Sequence, residues 1–168
     1  QKLEFKEIHI QAWGNNSKEL LECGTAINNL AKENFKLYVK VPITRDGCKA
    51  AKLLVKDGVL ITFTACYEPK QILIASSIGA KYIAPYLGRI NSQSKDGLQE
   101  ILTMQKVIKE LGSNTKLLVA SIRDINQVLT LSAAGTTTFT INPGIFDEFF
   151  TVEETIQAAN QFQKDALS

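Results

Sequence analysis

Apolar residues recur along this chain in short clusters of four to six, separated by longer stretches whose apolar positions return every three or four residues. The clusters are Glu7–Gln11 (EIHIQ), Leu37–Val41 (LYVKV), Val59–Thr64 (VLITFT), Tyr82–Pro85 (YIAP), Lys116–Ala120 (KLLVA) and Thr138–Ile141 (TFTI). Their length and their wealth of β-branched and aromatic residues predict strands. The stretches between them predict helices over Ser17–Glu33, Asp46–Lys56, Pro69–Ile78, Gly97–Leu111, Ile125–Ala133 and Val152–Ala166. Asp46, Asp96 and Asp124 stand where N-caps belong, and Thr151-x-x-Glu154 reads as a capping box. Gly58, Gly79, Gly112 and Gly135 fall at the helix ends.

Repeated β-α alternation predicts a parallel sheet with helices outside it, either an open doubly wound sheet or a closed (β/α)8 barrel. The strand-end residues Gln11, Lys40, Thr64, Tyr86, Ser121 and Asn142 recur about every 26 residues, so eight units need roughly 210. The chain has 168 residues and six units. It is therefore an open sheet, or a single barrel domain shown without its first two βα units.

Composition narrows the partners more than the fold. Hydrophobic residues make up 45% and charged residues 21%, as in ordinary globular chains. Nineteen Lys+Arg against seventeen Asp+Glu leave a charge of +2, too small to argue for nucleic acid or an anionic membrane. No apolar run reaches the ~18–20 residues that span a bilayer. The start, Gln1-Lys2-Leu3-Glu4-Phe5-Lys6-Glu7, is neither a signal core nor a transit peptide, and without an initiator Met it implies residues upstream. Cys23, Cys48 and Cys66 are odd in number and widely spaced, which fits free thiols in a reducing cytoplasm. With a single histidine they make no zinc pattern.

Chemistry in parallel βα proteins gathers at the carboxyl ends of the strands. Here those ends carry Gln11, Lys40, Thr64, Tyr86 with Arg89, Ser121 with Arg123, and Asn142. Alternation in Tyr38-Val39-Lys40-Val41 puts Tyr38 and Lys40 on one face. Burial disfavours a lysine's ammonium form, and a neutral amine there attacks a carbonyl to form a Schiff base. The plainer reading is an ammonium that snorkels out of the strand end. Arg89 after Pro85-Tyr86-Leu87-Gly88, and Ser121 with Arg123 before the helix at Asp124, combine guanidiniums, a hydroxyl and a helix start that suit a phosphate monoester. Solvated surface arginines are the alternative. Thr64, Gln11 and Tyr86 suit orientation or proton relay through a water near the amine. His9 shares the face of Gln11 and reads as a hydrogen-bonded interior histidine, and nothing marks Cys66, in the loop past Thr64, as a nucleophile.

Four ordered motifs give these residues a family likeness. They are Val39-Lys40-Val41-Pro42-Ile43-Thr44; Thr64-Ala65-x-Tyr67-x-x-x-Gln71; Gly79-Ala80-x-Tyr82-Ile83-Ala84-Pro85-Tyr86-x-Gly88-Arg89-Ile90; and Ala120-Ser121. In order and spacing, over nearly the whole chain, they resemble the small transaldolase and fructose-6-phosphate aldolase family. The resemblance implies a (β/α)8 TIM barrel and class I Schiff-base chemistry on a sugar-phosphate substrate, with no metal or organic cofactor. It implies that Lys40 forms the imine, that Thr64 and Tyr86 surround the proton-transfer water, and that Arg89 and Ser121, with Arg123 beside them, hold the phosphate. Gln11 stands where the transaldolase branch usually carries glutamate, and Tyr86 where it often carries phenylalanine. Both favour aldolase-like chemistry, although Gly88 is common among the transferases. The family's opening Leu-Asp-Thr-type and Thr-Asn-Pro-Ser-type motifs do not precede Gln11, in keeping with six units rather than eight.

The leading expectation is thus a fructose-6-phosphate aldolase-like enzyme, with a transaldolase as the alternative. A non-catalytic sugar-phosphate binder is the alternative from another class. A phosphoacceptor signalling domain is set aside, because Gln11, Thr64 and Tyr86 occupy the ends where it needs acids for magnesium. Family resemblance further implies a ring-forming homo-oligomer. Phe146, Phe149, Phe150 and the amphipathic helix after them are candidate packing surface, on a neighbour or on their own barrel.

Overall fold

The computed structural model describes residues 6–167. Its strands are β1 Glu7–Gln11, β2 Lys36–Pro42, β3 Leu60–Cys66, β4 Tyr82–Pro85 and β5 Lys116–Leu117. The helices are α1 Ser17–Asn28, α2 Arg45–Lys56, α3 Gln71–Ile78, α4 Leu87–Asn91, α5 Gly97–Glu110, α6 Ile125–Ala133, α7 Pro143–Asp147 and α8 Glu153–Ala166. A single 3-10 turn, Glu148–Phe150, links the last two.

All strand pairs are parallel, and their order is β1-β2-β3-β4-β5. A doubly wound sheet reverses its strand order at a switch point, and this one never does. The helices also form one layer, α1 against α2, α2 against α3, α3 against α5 and α5 against α6. Strands in sequential order under one layer of helices make the wall of a (β/α) barrel, so the open-sheet alternative falls. The sheet curls inward: Glu7 and His9 of β1 and the segment 137–141 beyond α6 line one cavity of about 650 Å³.

Alternation sorts each strand between two faces. Val39, Val41, Ile61, Phe63 and Ile83 lie fully buried under the helices and join Ala51, Leu54, Ile72, Ile101 and Met104 in one core. Glu7, His9, Tyr38, Lys40, Thr62, Thr64 and Tyr82 occupy the opposite, inner face.

Several local expectations need correction. Helix α1 ends at Asn28 rather than Glu33, because Asn28 and Asn29 are weak helix formers and the chain then turns into a bridge between Lys32 and Phe35. Thr44, not Asp46, caps α2 and accepts from Gly47 N; Asp46 lies in the first turn, 3.6 Å from Lys49. Asp96 and Asp124 do cap α5 and α6. The Thr151 capping box is absent: Val152 holds the cap position, and Thr151 donates to Glu148 O. The sixth strand shrinks to a single bridge, Val119 to Phe139, flanked by hydrogen bonds of 3.1 and 2.8 Å. Helix α4 was not anticipated, since its few residues are too short to show a period.

Candidate active site

Proline 85 ends β4, and from there the chain turns at Tyr86 straight into α4. That turn is held from its neighbour: Leu87 N donates to Ala120 O and Gly88 N to Ser121 O, each at 2.9 Å. Gly88 is required here. A Cβ on it would stand 2.6 Å from Ser121 O, 2.7 Å from Arg123 Nε and 3.0 Å from Ser121 Oγ. The glycine thus lets Ser121 and Arg123 crowd against the start of α4, one residue before Arg89. Ser121 meets this geometry with a left-handed φ of 60°. A non-glycine residue in that region is uncommon and costs on the order of 1 kcal/mol or more.

Thr64 is buried, and its Oγ1 lies 2.5 Å from the Tyr86 hydroxyl. The Tyr86 ring meets Tyr67 edge-on at 5.8 Å and carries the Arg89 guanidinium over its face at 4.9 Å. Tyr67 is itself placed by Gln71, whose Oε1 accepts from Tyr67 N at 2.8 Å and Glu68 N at 3.0 Å. The threonine, tyrosine and glutamine of the second motif are thereby one device. It holds the Tyr86 hydroxyl through Thr64 and packs edge-on against the Tyr86 ring through Tyr67.

Lys40 is half-buried and lines the inner cavity. Its register partners are Gln11 on β1 and Thr62 on β3, and His9 is near enough to feel its charge. The expected setting of an amine within an apolar run therefore needs correction: the apolar members of that run face the helices, and Lys40's own face is polar. Gln11 is exposed and turns its amide to backbone, donating to Ala12 O at 2.8 Å and Lys40 O at 3.1 Å. Arg89 and Arg123 are both exposed at the carboxyl end.

Structure thus joins Thr64 to Tyr86 and Tyr86 to Arg89, gathers Ser121 and Arg123 against Gly88, and sets Gln11 and Lys40 level on adjacent strands. His9 is the interior, hydrogen-bonded histidine expected, with Nδ1 2.8 Å from Thr62 Oγ1. Cys66 is the last residue of β3 rather than part of a loop. Burial pushes its thiol up to about 12, well away from nucleophilic character. Sequence reasoning missed the inner network of Glu7, Tyr38 and Tyr82. The Tyr38 and Tyr82 hydroxyls both donate to Glu7, at 3.1 and 3.0 Å, and burial first, then Glu7, raises both phenols. Alternation sets Glu7 and Tyr38 on the inner faces of their strands but gives no sign that they meet. Among the described residues no group of three or more His, Cys, Asp or Glu is placed to hold a metal ion. No described helix is long and apolar enough to cross a membrane.

Comparison with known proteins places the chain in a family. The family model described as "Transaldolase/Fructose-6-phosphate aldolase" matches residues 4–167. A "Probable transaldolase" of Caulobacter sp. (strain K31) is 33% identical over 129 residues, 77% of this chain and 59% of that protein. One from Roseobacter denitrificans is 32% identical over 81% of this chain and 63% of its own. The chain thus spans about three fifths of the length of these curated relatives. Among solved structures, a KDPG aldolase from Legionella pneumophila with pyruvate captured as a covalent carbinolamine superposes with a TM-score of 0.53 at 17% identity, covering 83% of this chain and 58% of that one. An inosine 5′-monophosphate dehydrogenase from Legionella pneumophila gives a TM-score of 0.57 at 13% identity, covering 81% and 42%. At such identities these two speak for the fold alone.

Proposed function

The chain belongs to the transaldolase/fructose-6-phosphate aldolase family, and on that premise we propose that its full-length protein is a class I Schiff-base enzyme acting on ketose phosphates, fructose-6-phosphate aldolase-like in its reaction. The observation that carries this is the Thr64–Tyr86 hydrogen bond, set at the carboxyl end of the face that bears Lys40 and capped by Arg89. In this reading the Lys40 amine adds to the ketone carbonyl, and loss of water leaves an iminium. The iminium takes up the electron pair of the carbon–carbon bond one carbon further along; as that bond breaks, the hydroxyl on its far carbon gives its proton to the bound water and an aldehyde phosphate leaves. The enamine left behind is then protonated and hydrolysed to dihydroxyacetone. Thr64 and Tyr86 hold the water that carries these protons. Arg89 and Arg123 supply charge to the substrate phosphate, and Ser121 a hydroxyl.

Gln11 favours the aldolase over the transferase, because a neutral amide beside Lys40 is a poorer base than the carboxylate usual in the transaldolase branch. Transfer of the three-carbon unit to an acceptor aldehyde is the second reading, favoured by the names of the relatives and by Gly88. The same proposal extends to a cytoplasmic homo-oligomer without metal or organic cofactor. Free thiols at Cys23, Cys48 and Cys66 support the compartment. Exposed Phe146, Ile156 and Phe162 on α7 and α8 support assembly.

Borohydride reduction of the full-length protein with dihydroxyacetone or fructose 6-phosphate adds irreversible mass at Lys40, and Lys40→Met abolishes it. Absence of trapping in the wild type refutes the mechanism. Release of free dihydroxyacetone without an acceptor marks the aldolase, and a strict need for an acceptor marks the transferase. Gln11→Glu shifts that partition toward transfer; an unchanged partition removes Gln11 from the argument.

A further inference from the structure

The inner face carries a cluster that the steps above do not use. His9 stacks on Tyr38 with ring centroids 4.5 Å apart and planes 9° from parallel, and it meets Tyr82 edge-on at 5.2 Å. Its Nδ1 lies 2.8 Å from Thr62 Oγ1, and its Nε2 faces a Glu7 oxygen 3.9 Å away. A carboxylate on the Nε2 side favours the proton there, which leaves Nδ1 to accept from the threonine hydroxyl.

Register fixes where this ring lies. Tyr38 and Lys40 are successive inward residues of β2, and Thr62 is the β3 residue level with Lys40. A ring stacked on Tyr38 and bonded to Thr62 must cross β2 between the Tyr38 and Lys40 side chains. His9 and Lys40 accordingly line the same cavity.

We propose that His9 is a positioning residue for Lys40: a neutral imidazole clamped by Thr62, Tyr38, Tyr82 and Glu7 forms the floor beneath the Lys40 side chain, and a proton gained there sets a second cation beside that amine and beside any iminium formed on it. The inference rests on Lys40 as the Schiff-base lysine.

The titratable groups facing His9 are Glu7 on its own strand, Tyr38 and Lys40 on β2, and Tyr82 on β4. The wall contributed by residues 137–141 is uncharged. Burial is the largest influence and holds the imidazole below its ordinary 6.5; Glu7 opposes it and Lys40 reinforces it. Coupling between two such groups is reciprocal, so an imidazolium disfavours a cation at Lys40 as much as Lys40 disfavours the imidazolium. An iminium is a cation at that place. Acid conditions that charge His9 therefore weaken it.

His9 is the only histidine among these 168 residues, and in the full-length protein its ring Hε1 resonance is assigned by its through-space contacts to the Tyr38 and Tyr82 rings. The His9 midpoint lies below the ordinary value in the wild type and moves up in Lys40→Met. In parallel, trapping with dihydroxyacetone is followed from about pH 8 to about pH 5 in the wild type and in His9→Asn. Wild-type trapping falls more steeply, so that at the acid end the variant keeps about three-fold more of its own neutral-pH rate. A midpoint unmoved by Lys40→Met, or superimposable pH profiles, overturns the proposal. A moved midpoint with no trapping in any protein upholds the contact and overturns the imine reading instead, so the two failures separate. Should His9→Asn not fold, the Lys40→Met titration decides alone, because it is read on the native histidine.

Discussion

The two faces of this sheet are built on opposite principles. Toward the helices, Val39, Val41, Ile61, Phe63 and Ile83 are completely buried, and helix side chains close over them without a polar atom to satisfy. Toward the inside, the same strands present His9, Tyr38, Lys40, Thr62, Thr64 and Tyr82, where each hydroxyl or ring is held by a specific partner. The first face is secured by area removed from water, which tolerates any well-shaped apolar side chain. The second is secured by directed contacts, where losing one partner strands the other. That difference teaches where stability and chemistry part: the helix-facing side carries the fold, and the inner side is free to carry function.

The largest break in this comparison comes from the helix-facing side. Phe63 is fully buried at the centre of the core. Phe63→Ala removes its area and leaves a cavity, so unfolding in urea should show a loss of about 3–5 kcal/mol. A loss below about 1 kcal/mol would mean that this face is not the stabilising one.

Legibility followed the same division. Helix-facing residues declare themselves as period-2 apolar positions within short runs, and β4 was read with its bounds intact for that reason. The inner face is legible in outline, since alternation alone sets Lys40 with Tyr38 and Glu7 with His9 and Gln11. What alternation cannot show is which inner residues meet across strands. Glu7 reaches Tyr82, 75 positions away, only because the sheet curls. The run Thr138–Ile141 reads as a strand, yet next to the two-residue β5 it keeps a single bridge, at Phe139. Short α4 and the left-handed backbone at Ala65 and Ser121 leave no periodic trace either, because each depends on a neighbouring segment holding it in place.

A smaller effect is expected on the inner side. Glu7→Ala strands the Tyr38 and Tyr82 hydroxyls and should cost about 1–2 kcal/mol. Its pH dependence sharpens the contrast. His9 titrates below its ordinary 6.5 in the fold, so its contribution is present above that value and is lost as pH falls toward the lower folded one. Tyr38 and Tyr82 titrate above their ordinary 10.0, so theirs is present below that value and is lost as pH rises. Wild-type stability should therefore fall off on both sides of a plateau between about 6.5 and 10.0. In His9→Phe the acid-side loss is reduced. An acid limb unchanged by that substitution would assign the loss to other groups.

The smallest effect tests where the two faces exchange residues. Regular alternation would carry Thr62 and Thr64 on to Cys66 and set its thiol on the inner side, beside Tyr86. The β3–β4 register shifts between Phe63 and Cys66, and Ala65 takes a φ of 55°. That bulge turns the strand by one residue, so Thr64 keeps its bond to Tyr86 while Cys66 joins the buried core. The thiols should report this directly. Cys23 and Cys48 are half-buried, whereas Cys66 has no exposed area and a thiol held near 12 by burial. Under native conditions near pH 8, an alkylating reagent should modify Cys23 and Cys48 while Cys66 stays intact, and Cys66 should react only as fast as the core opens. Phe63→Ala should then speed its modification in proportion to the stability lost, with no comparable change at Cys23. Rapid alkylation of Cys66 in the folded wild type would place it on the inner face and remove the bulge that aims Thr64 at Tyr86.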